Sequence, residues 1–110
     1  MYGVELSVTR QIDLAGASGA RYRYTPMDEN RFLPPAGANY VIAELTDENL
    51  NVVFAGETDN LASQSWRAEL EKARREYAQA TVLTRLNVTR AVREAERRDL
   101  IDNYHPPLNG

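Results

Sequence analysis

"NYVIAELTDENLNVVFAGET", residues 39–58, decides the fold class. Two runs rich in β-branched and aromatic side chains, 39–45 and 51–55, flank Asp47, Glu48 and Asn49, an arrangement that predicts an antiparallel hairpin. Gly56 follows the second run, at a place where a close neighbour can exclude a side chain. Thr58, Asp59, Asn60, Ser63 and Ser65 then offer helix caps in succession. Beyond them Trp66, Leu70, Ala73 and Tyr77 recur at helical spacing, so one long helix reaching Ala80 is expected, its apolar stripe turned to the core.

Working outward, "TVLTRLNV" (81–88) alternates again and reads as a third strand. Asn87 or Thr89 caps a last helix that runs to about Tyr104 and stops before Pro106 and Pro107. On the other side, "PMDENRFLPPAG" (26–37) is a connector held extended by its prolines. Before it, Tyr2, Val4, Leu6, Val8, Ile12 and Leu14 share one parity, predicting a strand over 3–13. The small residues 15–20 turn the chain into a second extended run, "RYRYTP" (21–26). The expected fold is α+β: a small antiparallel three-stranded sheet flanked by helices over 37–110, preceded by an extra N-terminal β-hairpin and connector over 1–36.

The 110-residue length fits one domain. No apolar run is long enough to cross a bilayer, which excludes a membrane-spanning reading. The first residues lack the pattern of a secretory signal. Without cysteine there is no disulfide, thiolate nucleophile or thiolate metal site, and cytoplasmic residence is expected. A single histidine, His105, rules out a histidine cluster within one chain. The net charge of −3 hides an asymmetry: 4 Arg stand against 9 acidic residues in 1–60, while 8 Arg and 1 Lys stand against 7 in 61–110. An anion-binding face is expected in the second half.

Three stretches, "ANYVIAEL" (38–45), "VVFAGETDNL" (52–61) and "ERRDLIDNYHPPLN" (96–109), in this order and on these elements, resemble the GIY-YIG nuclease superfamily over residues 37–109. The resemblance implies an endonuclease in which a glutamate of the last helix holds Mg²⁺ or Mn²⁺ against the scissile phosphate. Tyrosine hydroxyls of the two strand motifs position or activate water, and an arginine of the first helix steadies the phosphate. Tyr40 matches the first tyrosine, Gly56 the glycine of the second motif, and Asn109 the asparagine that closes the last. Phe54 stands at the second tyrosine's place, without its hydroxyl. Gln64 stands at the arginine's place, with Arg67 about one turn further on. Arg97, three residues before Leu100, occupies the place of the metal-binding glutamate, and a guanidinium cannot ligate a cation.

Glu96 is adjacent and Glu94 nearly a turn back, but one residue turns a helix by about 100°, so Glu96 reaches that site only in a shifted register. Arg90, Arg93 and Arg97 fall on one helix face and form a stripe that could hold a phosphate backbone without cutting it. The same residues also suit ordinary single-turn ion pairs, Arg90 with Glu94 and Glu94 with Arg98. The alternating Arg and Tyr of "RYRYT" suit either base stacking or a strand packed on the core. The resulting expectation is a degenerate, non-catalytic module that binds DNA or another nucleic acid through Arg67, Arg90, Arg93, Arg97 and Asn109. The alternatives are an active Mg²⁺-dependent endonuclease using Tyr40, Gly56 and Arg67 with Glu96 or Glu94 on the metal, and a protein-binding adaptor whose interface includes the N-terminal hairpin.

Overall fold

Strands β1 (Ile12–Ala15), β2 (Arg21–Pro26), β3 (Ala38–Leu45) and β4 (Leu50–Thr58), helix α1 (Trp66–Arg74), strand β5 (Ala80–Leu86) and helix α2 (Arg90–Tyr104) follow one another along the residues that a computed structural model describes, 11–46 and 49–110. The predicted hairpin is β3 with β4, antiparallel, with Tyr40 opposite Gly56 and a bulge between Ile42 and Ala43. On its other edge β3 pairs antiparallel with β5, placing Tyr40 opposite Thr84. Both faces of β3 are buried, which is why its sequence is nearly continuously apolar. Ala38, Tyr40 and Ile42 pack with Trp66 and Leu70 of α1, while Val41 and Ala43 pack with Leu100 of α2.

The α+β class holds, but the sheet has five strands in the order β1-β2-β5-β3-β4, which corrects the expected three-stranded sheet with an appended hairpin. β2 joins it by pairing Thr25 with Thr84 and Pro26 with Leu83. The Met27 N–H then donates to the Val82 carbonyl at 2.9 Å. Two physical demands favour this: the outer edge of β5 gains partners, and Leu14 and Tyr24 become buried in the α2 cluster. Of the strand expected over 3–13, residues 3–10 lie outside the described residues, as do 47 and 48 of the hairpin turn.

The helix expected to reach Ala80 is shorter, ending at Arg74. A separate 3-10 turn, Leu61–Ser63, precedes it, capped by the Asn60 side chain, which accepts from the Ala62 N–H. Gln64, at φ 61°, is left-handed and parts this turn from α1. Helix α2 ends at the predicted place: His105 is left-handed at φ 48°, its N–H donates to the Ile101 carbonyl, and Pro106 follows. The tail then turns back onto β4. The Asn109 side chain accepts from the Ala55 N–H at 2.8 Å and donates to the Ala55 carbonyl at 3.0 Å. Because β4 is an edge strand, one asparagine amide does for Ala55 what a neighbouring strand would do. Among the described residues no helix is long and apolar enough to cross a membrane.

The β1–β2 turn is tied to α2 through polar groups. Asp99 accepts from the Ser18 N–H at 2.9 Å, the Ser18 hydroxyl at 2.7 Å and the Tyr22 hydroxyl at 2.6 Å. Asn103 donates to the Ala15 carbonyl at 2.7 Å, and the Ala15 N–H donates to the Tyr104 hydroxyl oxygen. The hydrogen bond from Tyr22, then those from Ser18, hold the Asp99 carboxyl below its ordinary 3.8. A group with a depressed folded pKa contributes its stability above the ordinary value and loses it as pH falls through the folded one. In urea unfolding, the stability advantage of the native protein over Asp99→Asn is expected to be constant above about pH 5 and to shrink below 3.8. An advantage independent of pH would place the carboxylate outside this network.

Candidate functional site

The hairpin register and the position of α2 bring Tyr40, Phe54, Gly56, Glu57, Glu94, Arg97 and Arg98 around one open cleft of ≈ 610 Å³ at the β4 edge of the sheet. Gly56 is a glycine for a steric reason. The ring of Tyr40 lies across its α-carbon, so that a Cβ there would run into the ring and fall 2.6 Å from the hydroxyl oxygen. Phe54 packs beside the same ring, with centroids 6.0 Å apart and planes tilted by 30°. Tyr40 is 6% exposed. Burial, then the negative charge of Glu69, push its phenol up to about 12, against the opposing effect of Arg97. At neutral pH the phenol therefore keeps its proton and acts as a hydrogen-bond donor, not as a base. Among the described residues neither the Tyr40 hydroxyl nor the Arg97 guanidinium has a hydrogen-bond or ion-pair partner, so both leave donor capacity in the cleft.

The arginine stripe divides into different roles. Arg93 is 3% exposed and binds Glu57 Oε1 at 2.8 Å, the Asn87 carbonyl at 3.0 Å and the Val88 carbonyl at 2.8 Å. It holds the start of α2 to β4 and has no surface to offer a ligand. Arg90 is exposed and paired with Glu94 at 3.1 Å, the single-turn pair the spacing allows. Arg97 alone of the stripe lines the cleft, beside Arg98. Arg67 lies away from it, stacked on Trp66 at 4.7 Å and donating to Gln64 and to the Glu29 carbonyl. Asn109 is committed to Ala55.

Glu96 turns to the other side of α2, where it is 9% exposed and pairs with Arg85 at 2.9 Å. The helix register is thus the one that puts Arg97, not Glu96, beside Tyr40. Of the remaining carboxylates at the cleft, Glu57 is held by Arg93 and Glu94 by Arg90. Among the described residues no three His, Asp or Glu side chains converge as a metal site requires. With both carboxylates paired and the Arg97 guanidinium in the same cleft, these residues do not fit a divalent cation. Sequence reasoning missed Glu57 and Arg98 as parts of this wall. Arg93 and Glu57 are 36 positions apart, and no local pattern marks them as partners.

Replacing Gly56 by Ala is expected to cost about 1–3 kcal/mol in denaturant unfolding through overpacking against Tyr40. Tyr40→Leu, which removes the ring, should make the double variant less unstable than the sum of the two; strict additivity would mean the ring does not cover Gly56. Independently, NMR titration of the Tyr40 phenol should find it near 12, higher in Arg97→Met and lower in Glu69→Gln. No movement with either substitution would remove both charges from its surroundings.

Against known proteins, the chain matches no family model, no curated protein and no solved structure. The geometry of its own residues therefore carries the functional reading.

Proposed function

We propose that the chain is a degenerate relative of the GIY-YIG nucleases that binds nucleic acid without cutting it, seating a backbone phosphate between Tyr40 and Arg97. One observation carries this reading: an uncommitted guanidinium and a protonated phenol, its ring laid over Gly56, share one cleft. The guanidinium supplies charge and a planar fork of donors that matches phosphate oxygens, and the phenol, seated over Gly56, adds a third direction. Hydrolysis would need an activated water and a stabilised leaving oxygen. Tyr40 remains protonated, Phe54 has no hydroxyl, and the carboxylates at the rim are neutralised by Arg90 and Arg93. Phosphate is held in this scheme, and among the described residues of the cleft none is placed to break a bond.

The test is fluorescence anisotropy with labelled single-stranded DNA, duplex DNA and RNA across a salt series. Binding should weaken steeply with salt, and Arg97→Glu should reduce it about tenfold with a salt slope lower by about 1. Arg90→Ala should have the smaller effect, since Arg90 is already paired with Glu94. Binding that ignores both salt and Arg97 would refute the proposal. So would Mg²⁺-dependent plasmid cleavage abolished by Tyr40→Phe, which would make the chain an enzyme.

A further inference from the structure

Arg97 shares the Tyr40 cleft with a second free cation. Arg98, the next residue along α2, lines the same wall, is exposed, and among the described residues has no hydrogen-bond or ion-pair partner. Arg97 is half-buried, so one guanidinium stands inside the cleft and the other at its mouth. The acids of the same lining are held from outside it, Glu57 by Arg93 at 2.8 Å and Glu94 by Arg90 at 3.1 Å. Lining and partners together set four arginines against two glutamates, and the surplus of two positive charges sits on Arg97 and Arg98. That surplus is confined to one place. Toward the start of α2, Arg93 is buried and Arg90 is spent on Glu94. Past Arg98, the adjoining recess is lined by Asp99 and Asp102.

A strand bound along its length asks for a track of cations, one phosphate after another. Here the next phosphates on either side would lie over Glu94 or over Asp102, each about one turn of α2 from the two arginines, and neither adds attraction. Two free charges at a single place match a single group of nearly double charge. A phosphate monoester carries about −1.5 to −2 at pH 7 and three acceptor oxygens, whereas a phosphate inside a strand carries one charge and has two of its oxygens tied up in ester bonds. Two guanidinium forks, with the unpartnered hydroxyl of Tyr40, a residue only 6% exposed, supply donors for three oxygens. We propose that, of the phosphates a nucleic acid offers, the cleft takes the one at the end of a strand, with Arg97 and the Tyr40 hydroxyl on its inner oxygens and Arg98 on the outer one. This rests on reading the cleft as a nucleic-acid phosphate site and narrows its ligand to a terminal monoester.

The experiment takes one internally labelled single strand in four forms: 5′-phosphorylated, 3′-phosphorylated, hydroxyl at both ends, and closed into a circle. Anisotropy measures each on the native full chain and on Arg98→Gln, Arg97→Glu and Arg31→Gln. Arg98 and Arg31 are exposed, so their variants should keep the native circular dichroism. At least one phosphorylated form should bind about tenfold more tightly than the two forms without a terminal phosphate. Arg98→Gln should remove most of that preference, Arg97→Glu should weaken every form, and Arg31→Gln, which deletes a cation outside the cleft, should leave the preference as it is. Equal binding of all four forms, or a preference that Arg31→Gln reduces as far as Arg98→Gln does, would overturn the inference; if that binding still falls with salt and with Arg97→Glu, the nucleic-acid reading itself stands. Binding of no form, or binding indifferent to Arg97, would remove both. Two further results would overturn the inference by naming another occupant. A nucleoside monophosphate that binds as tightly as the phosphorylated strand would make it a free nucleotide, and a phosphoserine peptide that binds more tightly would make it a phosphorylated protein.

Discussion

The position of α2 depends on one ion pair, that of the buried Arg93 with the half-buried Glu57. Arg93 reaches back to Glu57 on β4 and to the carbonyls of Asn87 and Val88, which lead into the helix. Its guanidinium thereby joins the edge strand, the β5–α2 connection and the first turn of α2 in one half-buried set of hydrogen bonds. Removing Glu57 would leave the Arg93 charge buried, a loss that in fully buried pairs costs about 3–5 kcal/mol and is smaller here because Glu57 reaches solvent. Asn39, fully buried on β3, adds a second tie: its amide donates to the Arg93 carbonyl at 2.9 Å and accepts from Asn87 at 3.0 Å. Once these contacts fix the rotation of α2, every other side chain on it is assigned a side.

That assignment explains the two halves of the molecule. On one side Glu96 faces Arg85, Asp99 grips the β1–β2 turn, and Asn103 and Tyr104 close on Ala15. This side recruits the hairpin and makes the sheet five-stranded. The other side presents Arg97 and Arg98 to the cleft where the Tyr40 ring crosses Gly56. One residue of helix rotation separates a carboxylate buried against an arginine from an arginine open to a ligand.

The elements were legible where a local pattern carried them. The 39–58 hairpin, the strand after α1 and the Pro-stopped last helix follow from alternation, helical spacing and proline chemistry. The early end of α1 was hidden, because nothing in the run from Asn60 to Ala80 announces that Gln64 turns left-handed or that Tyr77 lies beyond the helix. The fifth-strand topology was hidden too, since β2 meets β5 nearly sixty positions away and through only Thr25 and Pro26. At the site, the motif spacing brought Tyr40, Phe54, Gly56 and Arg97 to one cleft, but it could not tell Arg93 from Arg97. Both are arginines on one helix face, and only the distant Glu57 makes the first a structural tie.

Which ion the Tyr40 cleft can hold is set first by the charge of Arg97. Two unit charges 4 Å apart interact by about 4 kcal/mol at an effective dielectric of 20, so a divalent cation beside Arg97 would meet roughly twice that as repulsion, reduced by solvent at an open cleft. A phosphate in the same position gains attraction where the metal would lose it. Tyr40 completes the inversion: a phenol that holds its proton up to about 12 is a donor to anionic oxygen across the whole physiological range. Gly56 has a steric duty of its own, because the ring of Tyr40 crosses it. With Arg97 charged and Tyr40 protonated, and with Glu57 and Glu94 already paired, the cleft suits an anion rather than a cation.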